Sequence, residues 1–228
     1  MIFRLFFLMA PVFLFSQNIV DSDGKKQGFW NKYHLNGKLK YSGEFKNNFP
    51  VGIFKYYDIN ENLKADLIYF NNGKSASAKL YYSNGKLSAV GLYSSEKKDS
   101  LWKYYNEEEK LVAEEYYSSG KLNGKSISYY LNGNVLEIIN YKNDLKNGIS
   151  KQFYIDGTLK FQCIYLNDKL NGLYTFYNLE NHIEFQGNFN NDLKDGVWNY
   201  YNDDGTIDYS LDYKNGNLTN DLKKSENE

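Results

Sequence analysis

Four aspartates near the end of the chain, Asp203, Asp204, Asp208 and Asp212, carry the oxygen ligands that a hard cation such as Ca²⁺ requires. On one strand face Asp208 and Asp212 would stand about 13 Å apart, too far to grip a single ion, so a charged capping face is the better reading. Glu107, Glu108 and Glu109 form a second acidic cluster, placed between two alternating runs as a solvated turn would be. Histidine offers no relay, because His34 and His182 fall in segments that a sheet would separate by about 60 Å. Cys163 is the only cysteine. It occupies a position held elsewhere by Gly43, Leu67, Ile139 and Leu211, which marks a packed thiol with no base or strained turn to activate it. No P-loop, nucleophile elbow, H-E-x-x-H or dinucleotide fingerprint occurs. No catalytic residue, metal ligand or cofactor is assigned, and the chain is not expected to be an enzyme.

The elements that would position any site have an unusual composition. Of 228 residues, 18% are aromatic and 23 are tyrosine, with 18 glycines and only two prolines. That profile fits a solvated β protein better than a disordered or collagen-like chain. Lys plus Arg (27) nearly balances Asp plus Glu (28), so no basic excess exists to neutralise phosphates, and nucleic acid is set aside as a partner.

The opening residues MIFRLFFLMAPVFLFSQN differ from all that follows. Arg4 precedes an apolar run of 11 residues from Leu5 to Phe15, too short to span a bilayer but suited to a secretory signal. Residues 1–16 are read as a signal peptide cleaved at Ser16–Gln17, which implies export to the periplasm, the cell surface or the medium. With one cysteine, no intrachain disulfide can form, so packing alone must hold the exported fold.

Stepping back by 24 from Tyr213 meets Phe189, Tyr165, Tyr141, Tyr117, Tyr93, Tyr69 and Phe45. From Tyr201 the same stride meets Tyr177, Phe153, Tyr129, Tyr105, Tyr81, Tyr57 and Tyr33, and from Ile207 it meets only aliphatic residues back to Leu39. Eight units therefore share one 24-residue register. Each begins at a small residue (Gly28, Gly52, Ala76, Ser100, Gly124, Gly148, Gly172, Gly196) and turns in the middle at pairs such as Asn36-Gly37 and Asp204-Gly205. Asn-Gly and Asp-Gly between alternating runs signal two-residue hairpin turns, since both residues tolerate φ > 0. The expected fold is all-β, an elongated antiparallel meander of eight 24-residue β-hairpins. A lead-in occupies residues 17–27, the repeats occupy 28–219, and 220–228 form a charged tail that blunts the last edge.

Strict alternation assigns the faces. It places the second tyrosine of each adjacent pair, the Tyr33-to-Tyr201 row, in the common core. Its neighbour (Tyr56, Tyr104, Phe176, Tyr200) goes to the other side. That other side is polar in units 1, 7 and 8 but apolar in the middle of the chain. The candidate partner-binding face there comprises Phe70, Leu80, Leu92, Trp102, Tyr104, Tyr116, Leu136 and Ile138.

The unit G-x-W-x-x-Y-x-x-N-G-x-L-x-x-x-x-x-Y-x-N, as in Gly28, Trp30, Tyr33, Asn36-Gly37, Leu39, Phe45 and Asn47, resembles the bacterial MORN-repeat variant family. Units 3, 5 and 6 depart from the tryptophan position with Ala78, Ser126 and Ser150. The resemblance implies an elongated hairpin sheet that serves as an interaction module and has no catalytic residue. It also implies an antitoxin-type binding role, a label often given to members of that family. Choline- or glucan-binding repeats and YD repeats share the Gly–aromatic flavour, but Trp30, Trp102 and Trp198 are too sparse to line repeated ligand cages. The expected function is an exported scaffold at the cell envelope whose partner is another protein. A glycan or membrane-lipid binder is the alternative, and a lipid site would need a basic patch that is not evident.

Overall fold

The computed structural model describes residues 18–223, so the signal-peptide assignment and the last residues of the tail lie outside the described residues. Every described element is a strand, and every adjacent pair is antiparallel. The expected hairpins pair Lys26–Tyr33 with Leu39–Lys46, Phe49–Tyr57 with Leu63–Phe70, Ser75–Tyr81 with Leu87–Ser94, and Lys97–Tyr105 with Leu111–Ser118. They continue as Lys121–Tyr129 with Val135–Lys142, Gly148–Phe153 with Leu159–Leu166, Gly172–Tyr177 with Ile183–Asn190, and Leu193–Tyr201 with Ile207–Lys214. Each hairpin also pairs with the next, which makes a single open meander. Flanking strands extend it at both ends. Ile19–Val20 joins the first hairpin, and Asn217–Lys223 continues past the expected repeat boundary as a strand on Ile207–Lys214.

The two kinds of turn exchange the roles that the sequence suggested. At Asn36-Gly37 only the glycine has positive φ (+81°). Gly37 N donates to His34 O at 3.0 Å and His34 N to Lys38 O at 2.8 Å, which defines a three-residue loop with a left-handed residue at its end. The two-residue turns lie between the repeats instead. There both residues are left-handed, as at Asn47 (+51°) with Asn48 (+70°) and Asn167 (+50°) with Asp168 (+71°). Asparagine and aspartate tolerate that region because their short polar side chains bond locally.

Side chains tie these edges together across repeats. Tyr82 Oη donates to Tyr105 O at 2.7 Å and Tyr130 Oη to Phe153 O at 2.8 Å. At the opposite edge Lys146 N donates to Asp168 Oδ1 and Leu170 N to Asp192 Oδ1, both at 2.7 Å. The ladder works because equivalent groups recur at one spacing, so each repeat satisfies polar groups of its neighbour.

The small residue that opens each repeat is a bulge. Gly28, Gly52, Gly124, Gly148, Gly172 and Gly196 all have positive φ, and Ser100 joins them at +57°. Between the pairs Ser42–Lys55 and Glu44–Val51 the incoming strand accordingly carries extra residues. Ala76 does not take positive φ, and the ladder from Ala65–Leu80 to Phe70–Ser75 runs unbroken. The surplus residues appear there as a longer turn through Asn71, Asn72 and Gly73. The insertion thus sits in the loop at Ala76 and in the strand at the other repeats, without changing the 24-residue register. Ser100→Gly is expected to raise stability by up to about 1 kcal/mol, and Ala76→Gly to lower it by roughly 0.5–1 kcal/mol, because only the first relieves a left-handed residue. Urea melts of both variants with the same sign would contradict this account of the bulge.

One face of the sheet is dry. Trp102 is fully buried, and Phe54 and Trp198 are nearly so. Each ring lies on a glycine of the preceding repeat. A Cβ on Gly43 would come within 2.4 Å of Phe54, one on Gly91 within 2.2 Å of Trp102, and one on Gly187 within 2.3 Å of Trp198. The rings can therefore press flat on backbone, which is how a single layer buries them.

Candidate functional site

The face assignment from alternation is corrected by a second bulge, beside each mid-repeat turn. Tyr56 pairs with Ala65 and Tyr57 with Leu63, which leaves Lys64 as an extra residue; Tyr200 pairs with Tyr209 and Tyr201 with Ile207, which leaves Asp208. One surplus residue inverts the parity carried across the hairpin. The first member of each aromatic pair consequently joins the buried face, where Phe54 and Tyr56 stack at 6.2 Å and Tyr200 and Tyr209 at 4.5 Å. The second member points the other way. Tyr81 Oη donates to Asp66 Oδ2 and Tyr129 Oη to Glu114 Oε2, each at 3.1 Å, and Gln186 Nε2 donates to Tyr201 Oη at 2.6 Å.

The eight residues read as one partner face are divided by the same bulge. Leu80, Trp102 and Tyr104 belong to the buried face: Leu80 pairs with Ala89 and Tyr104 with Ala113, and Trp102 is among the rings just described. Phe70, Leu92, Tyr116, Leu136 and Ile138 belong to the opposite side, where Leu92 pairs with Ser77, Tyr116 with Leu101 and Ile138 with Ile127. The opposite side is open to water. Ile53 is 58% exposed, Ile149 54%, Val197 46% and Leu173 41%. These first-strand residues were missed because uncorrected parity sends them to the core. Their place two residues before Lys55, Lys151 and Asn199, on the same polar-bearing face, would have identified them once the bulge was placed. A hollow of about 460 Å³ on this side is lined by Ile53, Ile68 and Val90 together with Lys55, Lys79 and Asp66.

The buried face has a polar fringe of its own. Lys98 Nζ donates to Tyr104 Oη at 2.7 Å, Tyr104 and Tyr117 share a hydrogen bond of 3.1 Å, and Tyr117 Oη donates to Glu115 Oε2 at 2.6 Å. Burial raises the Tyr104 hydroxyl well above the ordinary phenol range, helped by its bond to Tyr117, and pushes Tyr117 up to about 12. Desolvation also lowers Lys98, against the pull of Glu115. Both phenols therefore keep their ordinary neutral-pH protonation as fixed donors and acceptors. Cys163 is buried, and that burial pushes its thiol up to about 11, away from the thiolate a nucleophile needs. His34 Nε2 lies 3.1 Å from Tyr57 O as a rung of the turn ladder, and Asn84 Nδ2 donates to Glu107 Oε2 at 3.1 Å across the same edge. His34 and Glu107 thus each bridge one repeat to the next.

Beside Tyr56 and Tyr69 the buried face opens into a cavity of about 780 Å³. Its apolar wall includes Leu67, Leu80 and Tyr93, and Lys74 and Glu96 also line it. It forms where repeat 3 carries Ala78 and Leu80 in place of the Trp102 and Tyr104 of repeat 4.

Comparison with known families finds the MORN repeat variant at residues 26–47, 122–143 and 194–215. The three segments begin at Lys26, Leu122 and Lys194, which occupy one position of the 24-residue register in repeats 1, 5 and 8. Comparison with curated proteins finds no match. Among solved structures, TarM shares 17% identity over 42% of this chain and 20% of its own, at a TM-score of 0.31. A chain of the Photorhabdus luminescens Tc holotoxin pore shares 10% over 82% of this chain and 13% of its own, at a TM-score of 0.20. Both scores are too low for either likeness to bear on the fold or function of this protein.

Proposed function

Since the chain carries MORN repeat variants, non-catalytic repeat modules that generally engage proteins or membranes, we propose that it is an exported, non-catalytic scaffold at the cell envelope that binds another protein through the exposed face of its sheet. The observation that carries this reading is the exposed apolar set Ile53, Ile149, Leu173 and Val197 on a side open to water. Scattered exposed aliphatics are ordinary, but Ile149, Leu173 and Val197 recur at one sheet position in three successive repeats and form a row that a partner can dry, with Ser77 and Lys125 separating it from Ile53. A protein partner is favoured over a lipid surface because a net charge of −1 gives little attraction to anionic head groups. Export rests on the apolar run from Leu5 to Phe15 behind Arg4.

The test is capture from envelope fractions with the tagged full chain, alongside Ile149→Glu/Leu173→Glu, with the bait's own N-terminus read from the recovered material. A protease-sensitive partner lost from the charged variant, and a mature chain beginning at Gln17, are expected. Circular dichroism should show the variant still folded, since exposed carboxylates carry little desolvation cost. Capture that survives protease treatment of the fraction would favour glycan or lipid, and a toxin as the captured protein would favour the antitoxin-type role. Equal capture by wild type and variant would remove the exposed face from the interaction.

A further inference from the structure

Lysine closes an aromatic box in repeat 4. Lys98 Nζ stands 4.8 Å from the Trp102 ring centre, 4.9 Å from Tyr104 and 5.0 Å from Tyr117, while donating to Tyr104 Oη at 2.7 Å. The arrangement recurs 96 residues later: Lys194 Nζ stands 4.2 Å from Trp198 and 4.8 Å from Tyr213, and donates to Tyr200 Oη at 3.3 Å. In repeat 1, Lys26 Nζ lies 4.9 Å from Trp30 and 4.8 Å from Phe45. The ammonium is held by the negative ring faces and by a phenol oxygen that accepts its proton.

Repeat 2 keeps the same ring arrangement without the cation, with Phe54 closed off at 1% exposure and the two tyrosine rings left in the cavity wall. Phe54, Tyr56 and Tyr69 occupy the positions of Trp102, Tyr104 and Tyr117. Phe54 and Tyr56 lie 6.2 Å apart at 27°, against 6.3 Å at 30° for Trp102 and Tyr104. Tyr56 and Tyr69 share a hydrogen bond of 3.1 Å, the length found between Tyr104 and Tyr117. The lysine position, however, is Pro50, which has neither charge nor donor. The cavity of about 780 Å³ opens at that point, with Pro50, Tyr56 and Tyr69 in its wall and Glu96 supplying a negative charge. Lys74 stands at the same repeat position one unit later, but its own unit offers Ala78 and Leu80 in place of ring faces.

We propose that the wall of this cavity formed by Tyr56 and Tyr69 is a binding site for a primary alkylammonium group from outside the chain, the side chain of a partner's lysine. The two tyrosine ring faces attract the charge, Tyr56 Oη accepts a hydrogen bond from it as Tyr104 Oη does from Lys98, and Leu67, Leu80 and Tyr93 give the aliphatic stem a dry wall. Glu96 favours the cation on approach. The site lies on the tryptophan side of the sheet, so it is independent of docking through the other face.

The full chain is titrated with Nα-acetyl-lysine amide and, in parallel, with Nα-acetyl-norleucine amide, which has the aliphatic stem without the ammonium, while the ring resonances of Tyr56 and Tyr69 are followed by NMR. Saturable shifts are expected with the lysine derivative, about tenfold weaker with norleucine, because the ammonium–ring attraction accounts for the difference. Pro50→Lys restores the internal lysine of repeats 1, 4 and 8 and is expected to abolish the shifts. Should that variant fail to fold, Tyr56→Phe keeps the ring and removes the acceptor. It is expected to weaken lysine-derivative binding several-fold while leaving tetramethylammonium, which has no N–H to donate, unaffected. Lys74→Ala is expected to tighten binding by removing a like charge. The proposal is overturned by equal binding of the two amides, by undiminished binding to folded Pro50→Lys, or by absence of saturable shifts in the wild type, including the case where they emerge only in Lys74→Ala.

Discussion

Trp102→Ala is expected to destabilise the protein by about 3–5 kcal/mol, the range for removing a fully buried large aromatic residue. The side chain is completely inaccessible, meets Tyr93 edge-to-face at 4.9 Å and stacks on Tyr104 at 6.3 Å. Its Nε1 donates to Leu92 O at 3.0 Å, so truncation leaves a carbonyl without that partner as well as a cavity. The loss should be greatest where repeats 3 to 5 meet, because in a linear array each unit depends on its neighbours. Tyr129→Ala supplies the contrast. Its ring points to the opposite face, and its hydroxyl bonds Glu114, which also pairs with the exposed Lys103, so a loss nearer about 1–2 kcal/mol is expected. Denaturant melts in which Tyr129→Ala costs as much as Trp102→Ala would mean that the buried face has been identified wrongly.

The second large effect comes from adding atoms. Gly91→Ala places a methyl group 2.2 Å from Trp102 Cδ2 and 2.3 Å from its Cε2. No flexible tip lies in the way, so either the indole lifts or the strand moves, at a cost of about 1–3 kcal/mol. The penalty depends on the ring, and a double-mutant cycle isolates that dependence. In the Trp102→Ala background, Gly91→Ala is expected to cost almost nothing, since the methyl then enters vacated space. A penalty equal in both backgrounds would place the effect in the backbone of Gly91 instead of in the stacking of glycine under indole. The same test applies to Gly187 and Trp198, where the closest approach is 2.3 Å.

Much of the partner face and of the cationic boxes was out of reach of sequence reasoning, for one physical reason. Alternation along a strand is local, but the number of residues between two pairings is a property of both strands. Lys64 and Asp208 look like ordinary alternating polar residues, and only the pairing of Tyr57 with Leu63 and Tyr201 with Ile207 reveals them as surplus. That slip sent Leu80, Trp102 and Tyr104 to the wrong side and kept Ile53, Ile149, Leu173 and Val197 from notice. The box of repeat 2 left a trace in the sequence, since Pro50, like Leu122 and Leu170, breaks a column that otherwise holds Lys26, Lys74, Lys98, Lys146 and Lys194. Its meaning depended on seeing Lys98 over rings, because a lysine at the start of a strand ordinarily reads as a solvated edge.

The amino-acid sequence by itself determined the 24-residue period, the hairpin units and the antiparallel meander. Those features follow from short-range causes: side chains alternate every second residue, and turns need residues that tolerate positive φ. Alanine at position 76, where six other repeats have glycine, goes with the insertion lying in the loop that holds Asn71 and Asn72, while Ser100 keeps the bulge. Tertiary structure decided which face is dry and which rings are shared between repeats. Gly91 accommodates Trp102 only because the two lie on adjacent strands, and Tyr104 meets Tyr117 only because the bulge after it sets both rings on one side of the hairpin. Pairing register between strands sets those contacts, and a single extra residue reverses it.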